Sequence, residues 1–160
     1  MIAAVVLPVF AAIIWVCWDD LAPHAAQNLD IVYDVTSLSI GARLIGFILF
    51  LITAVIQAYG LLGLRRTFLE AARGFPYSSR AISGFKRFAW VSLIMVFLGI
   101  MQQTGLIMIL SLSDPAHQGA FAVQFGSREL KAFFMGLLLV FVAHVFSVGK
   151  QAKDENETFL

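Results

Sequence analysis

Long apolar stretches without full charges alternate with shorter polar segments along this chain. Four such stretches together hold more than half of its 160 residues. Roughly 20 helical residues cross a hydrocarbon core about 30 Å thick, and each stretch comes close to that length. The pattern therefore predicts an all-α, four-transmembrane-helix bundle that forms a single integral membrane domain over residues 1–160. The predicted spans are Ile2 to Trp18, Leu44 to Leu64, Phe88 to Ser113 and Ala132 to Gly149.

The first span has to be distinguished from a cleavable signal peptide, which has a basic start and a small-residue cleavage site. No Lys or Arg precedes this apolar run, and Trp15, Trp18, Asp19 and Asp20 lie at its exit. Paired tryptophans suit the interface between lipid and water, where an amphipathic ring is stable. We therefore expect a retained helix whose tryptophans lie at the membrane surface.

Composition supports the membrane class. Hydrophobic residues make up 60% of the chain and charged residues only 13%, whereas soluble domains carry about 25% charged residues. The net charge of +1 gives no basis for direct nucleic-acid binding. The single cysteine, Cys17, cannot form a disulfide within the chain and has no companion residues for metal binding. We expect it to act as a small apolar packing residue.

Charge is distributed unevenly between the spans. The segment between the second and third spans holds six of the eleven Lys and Arg residues against one acid, Glu70, whereas residues 19–42 hold four acids and no Lys or Arg. Short connections rich in Lys and Arg stay cytoplasmic, so we expect residues 65–87, the tail 150–160 and both termini to be cytoplasmic. The six basic residues are Arg65, Arg66, Arg73, Arg80, Lys86 and Arg87.

The basic segment is expected to be a helical hairpin. Residues 64–73 continue the helical pattern of the second span, with Arg66 and Glu70 spaced as an i,i+4 ion pair. Gly74 and Pro76 end that helix, and Ser78 or Ser79 caps the next one. Two interpretations of the basic charges stay open. They orient the protein and contact anionic lipids, or they form a docking face for a cytoplasmic protein.

The two outer connections are expected to be short and to contain some regular structure. Apolar residues alternate with smaller or polar ones over residues 31–35 and again over residues 121–125. A period of two indicates β-strands, so the two segments could pair as a small sheet. Amphipathic helices lying on top of the bundle are the alternative.

Polar side chains inside the spans are the first place to look for function in a membrane protein. Gln57 and His144 lie at similar predicted depths, as do Thr53 and Gln102 nearer the midplane, so each pair could form an intramembrane contact. The structural interpretation is interhelical hydrogen bonding, at about 0.6 kcal/mol per contact. The functional interpretation is a binding site for a small ligand at the depth of Gln57 and His144.

Catalysis and resident cofactors are not expected. A bis-histidine haem at His144 would need a second histidine at matching depth, and the sequence has none. A haem near the outer membrane surface, bound by His24 and His117 of the outer connections, stays an alternative. Coupled transporters place ionisable groups or broken helices near the midplane, and no Asp, Glu, Lys or Arg lies within a predicted span. The sequence also lacks a recognisable nucleophile–base pair, phosphate-binding loop or metal-ligand cluster.

The basic hairpin and the tail contain recognisable local motifs. A basic and aromatic run is followed by a Gly, an aromatic residue, a Ser cap and basic residues that enter the third span. The tail has an acidic stretch and an apolar end. These motifs are Leu64-Arg65-Arg66, Phe68, Ala72-Arg73-Gly74, Tyr77-Ser78, Ala81, Lys86-Arg87-Phe88-Ala89, Gly149, Glu155-Asn156-Glu157-Thr158 and Phe159-Leu160.

In these motifs the chain resembles a bacterial family of small four-helix membrane proteins, the domain of unknown function 2975. The chain departs from the family pattern after Gly74, where Phe75-Pro76 stands in place of a polar or acidic residue. The resemblance implies a location in the bacterial cytoplasmic (inner) membrane. It also implies a small helix-turn-helix regulator as partner, because members are often encoded beside one.

The leading hypothesis is therefore a regulatory or scaffolding membrane protein, without enzymatic activity, that binds a cytoplasmic protein. The docking residues would lie in Arg65 to Arg87 and in Asp154 to Leu160, where Glu155 and Glu157 are candidates. The alternatives are a membrane protein that binds a lipid, quinone or haem, and a transporter subunit. The lipid bilayer is a partner in every case, and a homo-oligomer is compatible with the sequence.

Overall fold

A computed structural model describes residues 2–18, 20, 38–113 and 126–158 of the chain. Within these ranges all regular structure is helical and there is no strand. The predicted strand segments, residues 31–35 and 121–125, lie outside the described residues. The four helices are α1 (Ile2–Val16), α2 (Ile40–Ala72), α3 (Ser79–Ser113) and α4 (Ser127–Thr158).

Three of these helices are long and apolar enough to cross a membrane, namely α2, α3 and α4. With 33, 35 and 32 residues, each is about 50 Å long at 1.5 Å per residue. They therefore exceed the hydrocarbon core and must project beyond it. Helix α1 has 15 residues and is about 22 Å long, shorter than the core. The fold indicates a multi-pass integral membrane protein, whereas the fourth span and the side of each terminus stay predictions.

The surface of the long helices is largely apolar. Large hydrophobic side chains such as Met101, Phe134 and Phe141 are more than half exposed. Contiguous apolar surface of this extent is unfavourable in water, where a monomeric protein rarely exposes more than a few hundred Å² in one patch. Lipid tails solvate such a surface at no cost, so the exposure pattern agrees with helices surrounded by a bilayer.

The helices pack mainly in chain order, α1 against α2, α2 against α3 and α3 against α4, with the most extensive packing between α2 and α3. Glycines allow the backbones of α2 and α3 to pack closely together. A Cβ on Gly63 would lie 2.7 Å from the backbone oxygen of Gly84, and a Cβ on Gly60 would lie 2.7 Å from Val91. Thr67 Oγ1 donates a hydrogen bond across the interface to the backbone oxygen of Ala81, at 2.9 Å. Small residues at helix contacts are typical of membrane bundles.

A buried apolar cluster lies at the opposite end of the described bundle from the hairpin. Trp15 and Trp18 are stacked with ring centroids 4.6 Å apart, and both are buried together with Leu38 and Ile107. A Cβ on Gly46 would overlap the Trp15 ring, so this glycine provides the space that the ring occupies. The tryptophans were expected to face the lipid–water interface. They pack α1 against α2 and α3, because a glycine opposite Trp15 lets the ring enter the helix packing, and their depth in the membrane stays a prediction.

The start of α4 is fixed by a local cap. The Glu129 carboxylate accepts a hydrogen bond from the backbone N–H of Gly126 at 2.9 Å, the reciprocal half of a capping box. Hydrogen bonds from the backbone N–H groups of Glu129 and Gly126, assisted by neighbouring Arg128, lower the pKa of this carboxyl. The group precedes the apolar part of α4, and its charge also suits a helix N-terminus.

Candidate functional site

The turn between α2 and α3 is built by local backbone chemistry. Gly74 has φ of +87°, a left-handed conformation that costs a residue with a Cβ about 1 kcal/mol or more. Its N–H donates to the oxygen of Ala71, and the N–H of Phe75 donates to the oxygen of Glu70, both at 3.0 Å. These two bonds form a Schellman motif. The predicted helix end at Gly74 is confirmed.

Ser78 caps the following helix, as predicted. Its Oγ accepts a hydrogen bond from the N–H of Ala81 at 3.1 Å and donates one to Glu70 Oε2 at 3.3 Å. The other oxygen of Glu70 pairs with Arg73 Nη1 at 3.2 Å. The Glu70 carboxylate therefore ties the end of α2 to the start of α3. The expected partner, Arg66, is replaced by Arg73 and Ser78, because the turn folds Ser78 back over the carboxylate.

The polar extension of α4 lies beside this turn. The ring of Phe146 packs edge-on against Tyr77 and against Phe85, with centroids 6.3 and 5.8 Å apart. One helical turn later, Lys150 forms an ion pair with Asp154 along α4. The two segments proposed from sequence as one docking surface, the hairpin and the tail, are thus neighbours in the fold.

Two open clefts lie at this basic end of the bundle. The first, which we call the turn–tail cleft, has a volume of about 360 Å³ and lies between the turn and α4. The second, which we call the arginine cleft, has a volume of about 320 Å³ and lies between α2 and α3. The turn–tail cleft is lined by Gly74, Phe75, Pro76, Tyr77, Ser78, Lys150, Lys153 and Asp154. The arginine cleft is lined by Arg66, Leu69, Glu70, Arg73, Arg80 and Ser83.

The candidate docking residues separate into groups. Arg66, Arg73 and Arg80 line the arginine cleft, whereas Arg65 and Lys86 are exposed outside both clefts. Arg87 forms a third group, and the tail residues Glu155 and Glu157 form a fourth. The Arg87 guanidinium lies over the ring of Tyr59, 4.6 Å from its centroid, in a cation–π contact. Glu155 is exposed on α4, and Glu157 belongs to the same helix, with its side chain outside the described part.

The structure describes all four polar residues of the two expected intramembrane pairs, and the pairs themselves stay predictions. Gln57 and His144 are both exposed, and they lie on α2 and α4, which both pack mainly against α3. Thr53 is buried, and its hydroxyl donates to the oxygens of Phe50 and Leu49 within its own helix. Gln102 is half-buried on α3. The Thr53 hydroxyl is thus used within α2, as is common for threonine in apolar helices.

The described part of the chain contains no assembled metal site. The described residues contain no group of three or more His, Cys, Asp or Glu side chains able to hold a metal ion. His24 and His117, the candidates for a haem near the outer surface, lie outside the described residues. The absence of a resident cofactor therefore stays a prediction.

The sequence interpretation named Phe75 and Tyr77 only as motif positions, and it named neither them nor Lys150 and Lys153 as individual docking residues. Phe75 and Tyr77 are 65% and 56% exposed, and Lys150 and Lys153 line the same cleft. Two aromatic residues flanking Pro76 in an otherwise polar connection were the available signal. Their proximity to the lysines depends on the packing of α4 against α3, which the sequence pattern does not specify.

The fold thus defines a multi-pass membrane protein with a structured polar end. No protein-family model matches the sequence, and no curated protein or solved structure shows significant similarity to it. The resemblance to the domain of unknown function 2975 accordingly rests on the motif residues alone.

Proposed function

We propose that this protein holds a soluble protein at the membrane surface and that the turn–tail cleft is the docking site. The observation that carries the proposal is the cleft itself, formed by the hairpin turn and the polar extension of α4. Both segments were candidates from sequence for separate reasons, charge in one and a polar tail in the other. Their side-by-side arrangement gives one surface that a partner can contact continuously.

The position of the turn favours a soluble protein as the partner, because the hairpin extends beyond the membrane surface. The hairpin reaches about 12 Å beyond Leu64 at 1.5 Å per residue, whereas the headgroup layer adds only about 5–7 Å on each side of the hydrocarbon core. Phe75 and Tyr77 remain exposed there. Exposed aromatic side chains with a basic surround are typical anchors of protein interfaces. Lys150 and Lys153 against the single acid Asp154 give the lining of this cleft a net positive charge, which favours a partner with an acidic surface.

The proposed partner is cytoplasmic, because the basic end of the bundle is the end that the positive-inside rule assigns to the cytoplasm. The family resemblance implies a small helix-turn-helix regulator. Such a protein would dock through an acidic face and leave its basic DNA-binding face exposed. That face could then bind either DNA or the anionic membrane surface. In this role the membrane protein acts as a scaffold or regulator without chemistry of its own.

Co-purification from gently solubilised membranes tests the proposal. We expect a soluble protein to co-elute with the wild-type chain and to be reduced at least about tenfold by F75A combined with K150E, since interface anchors often cost 1.4 kcal/mol or more. The control is F141A, which shortens an equally exposed phenylalanine in the apolar segment of α4. Retention of every partner by the F75A/K150E variant would place the docking site elsewhere.

A further inference from the structure

The arginine cleft lies outside the proposed docking site and carries its own cluster of positive charge. Arg66 and Arg73 lie two helical turns apart on one face of α2, and Arg80 faces them from α3. Glu70 is the single acid in the lining, and its oxygens are already bonded to Arg73 and Ser78. Among the described residues, neither Arg66 nor Arg80 has a carboxylate within ion-pair distance. The cleft lining therefore carries a net charge of +2.

A guanidinium cluster of this kind suits a phosphate group. Arginine presents a planar fork of N–H donors that matches two phosphate oxygens at once, and such charge-assisted bonds are stronger than neutral ones. A volume of about 320 Å³ is at the lower end of the range of small-molecule sites. The cleft thus accommodates a headgroup rather than a whole lipid or a folded protein segment.

An exposed apolar stripe leads from the cleft into the membrane-spanning part of α2. Moving from Arg66 towards the membrane centre, exposed apolar side chains follow at intervals of three and four residues, the spacing that keeps them on one helix face. This stripe continues for about four turns and its own residues carry no charge, although the Arg87 guanidinium lies over the ring of Tyr59. Its members are Leu62, Tyr59, Val55, Ile52 and Ile48.

We propose that the arginine cleft is a binding site for an anionic phospholipid, with the phosphate on Arg66, Arg73 and Arg80 and an acyl chain along the stripe. The apolar stripe is what favours a lipid over a free anion, because a soluble phosphate would gain nothing from it. The Arg66 end of the cleft lies about 3 Å beyond Leu64 at 1.5 Å per residue, which is the depth of lipid headgroups, and Arg73 and Arg80 line the same cleft farther out. This site is distinct from the turn–tail cleft and does not depend on the docking proposal.

Native mass spectrometry of the full chain in neutral detergent tests the site. We expect wild-type protein to retain phosphatidylglycerol in preference to phosphatidylcholine. R66Q combined with R80Q should weaken that binding by about 30-fold, which is about 2 kcal/mol for two arginines next to a lipid phosphate. R65Q combined with K86Q removes the same charge from the same two helices outside the cleft, and should leave the affinity close to wild type.

The outcomes discriminate between a site, a general charge effect and a free-anion site. Equal losses in the two double variants would show that net charge alone attracts the lipid, and would overturn the proposal. Equal retention of phosphatidylglycerol and phosphatidylcholine would overturn it too. An excess of inorganic phosphate should fail to displace the bound lipid, because it cannot use the stripe. Complete displacement would identify a soluble-anion site instead.

Discussion

Replacing Gly63 with leucine is expected to destabilise the protein by at least about 3 kcal/mol, the upper end of the usual cost of overpacking. A Cβ at this position would lie 2.7 Å from the backbone oxygen of Gly84 and 3.3 Å from side-chain carbons of Arg87. A side chain can rotate away from an intruding group, but a backbone oxygen in the middle of a helix cannot. Helices α2 and α3 would therefore have to separate.

Separation of these helices would have a large effect because other contacts depend on the same approach. The hydrogen bond from Thr67 to Ala81 crosses the interface one turn away, and Ala81 and Ala89 are completely buried beside it. In a membrane, van der Waals packing and such hydrogen bonds supply the association energy that the hydrophobic effect supplies in water. Loss of close packing here would therefore remove most of what holds α2 to α3.

The matched control is leucine at Gly149, where an added Cβ meets no atom within 4 Å. Thermal stability of the monodisperse peak in size-exclusion chromatography compares the two variants directly. We expect the Gly149 variant to melt close to wild type and the Gly63 variant to elute as aggregate or melt far lower. Similar melting of both variants would mean that the α2–α3 crossing is not as close as described.

Trp15→Ala is expected to cost about 3 kcal/mol or more, as for other buried tryptophans truncated to alanine. The Trp15 side chain is 6% exposed. It stacks on Trp18 and meets the ring of Phe50 edge-on, with centroids 5.6 Å apart. Truncation leaves a cavity against Gly46 that no neighbouring side chain fills. Because this ring is the largest buried side chain among the described residues of α1, the helix should detach before the rest of the protein unfolds.

Trp90→Ala is the control for that prediction, since Trp90 is 48% exposed on α3 and lipid or detergent can occupy the vacated space. Denaturant titration followed by circular dichroism should show a large shift for Trp15→Ala and a small one for Trp90→Ala. Equal shifts for the two variants would contradict the placement of Trp15 inside the helix packing.

Local features of this fold follow from sequence chemistry with few assumptions. The long apolar runs predict α2, α3 and α4, because only a helix satisfies its backbone hydrogen bonds within lipid. Gly74 and Ser78 predict the hairpin turn, since each has a backbone role that few other residues can take. The Glu70 partner was predicted less well. Helical spacing favours Arg66, and only the turn geometry brings Ser78 to the carboxylate.

It is harder to predict which face of each helix packs against its neighbours. A helix that is apolar on all sides has no polar stripe to show which face is buried, so depth alone suggested that Gln57 and His144 could meet. The structure exposes both residues. Trp15 shows the same difficulty, because tryptophan suits both the lipid interface and the protein interior. The distinguishing feature is Gly46, which is distant in sequence and becomes informative only when α1 and α2 are placed together.

The two clefts illustrate what charge patterning can and cannot predict. Six basic residues between two spans identify the basic end of the bundle, where we propose that anionic lipids and a protein bind. They do not separate Arg66 and Arg80, which share a cleft, from Arg65 and Lys86, which do not. That division depends on helix rotation and on the α2–α3 crossing at Gly63 and Gly84. Pairs of variants that differ only in this respect are therefore the sharpest probes of the surface.

The most direct test of the membrane arrangement is labelling of single cysteines with a membrane-impermeant maleimide in intact bacterial cells or right-side-out vesicles. Cys17 is first replaced by serine, and one cysteine is then introduced at Ser79, Gln151 or Ser127. We predict that Ser79 and Gln151 react only after the membrane is permeabilised, whereas Ser127 reacts from outside. Labelling of Ser79 or Gln151 in sealed membranes, or recovery of the chain in the soluble fraction, would contradict a multi-pass protein with its basic end inside.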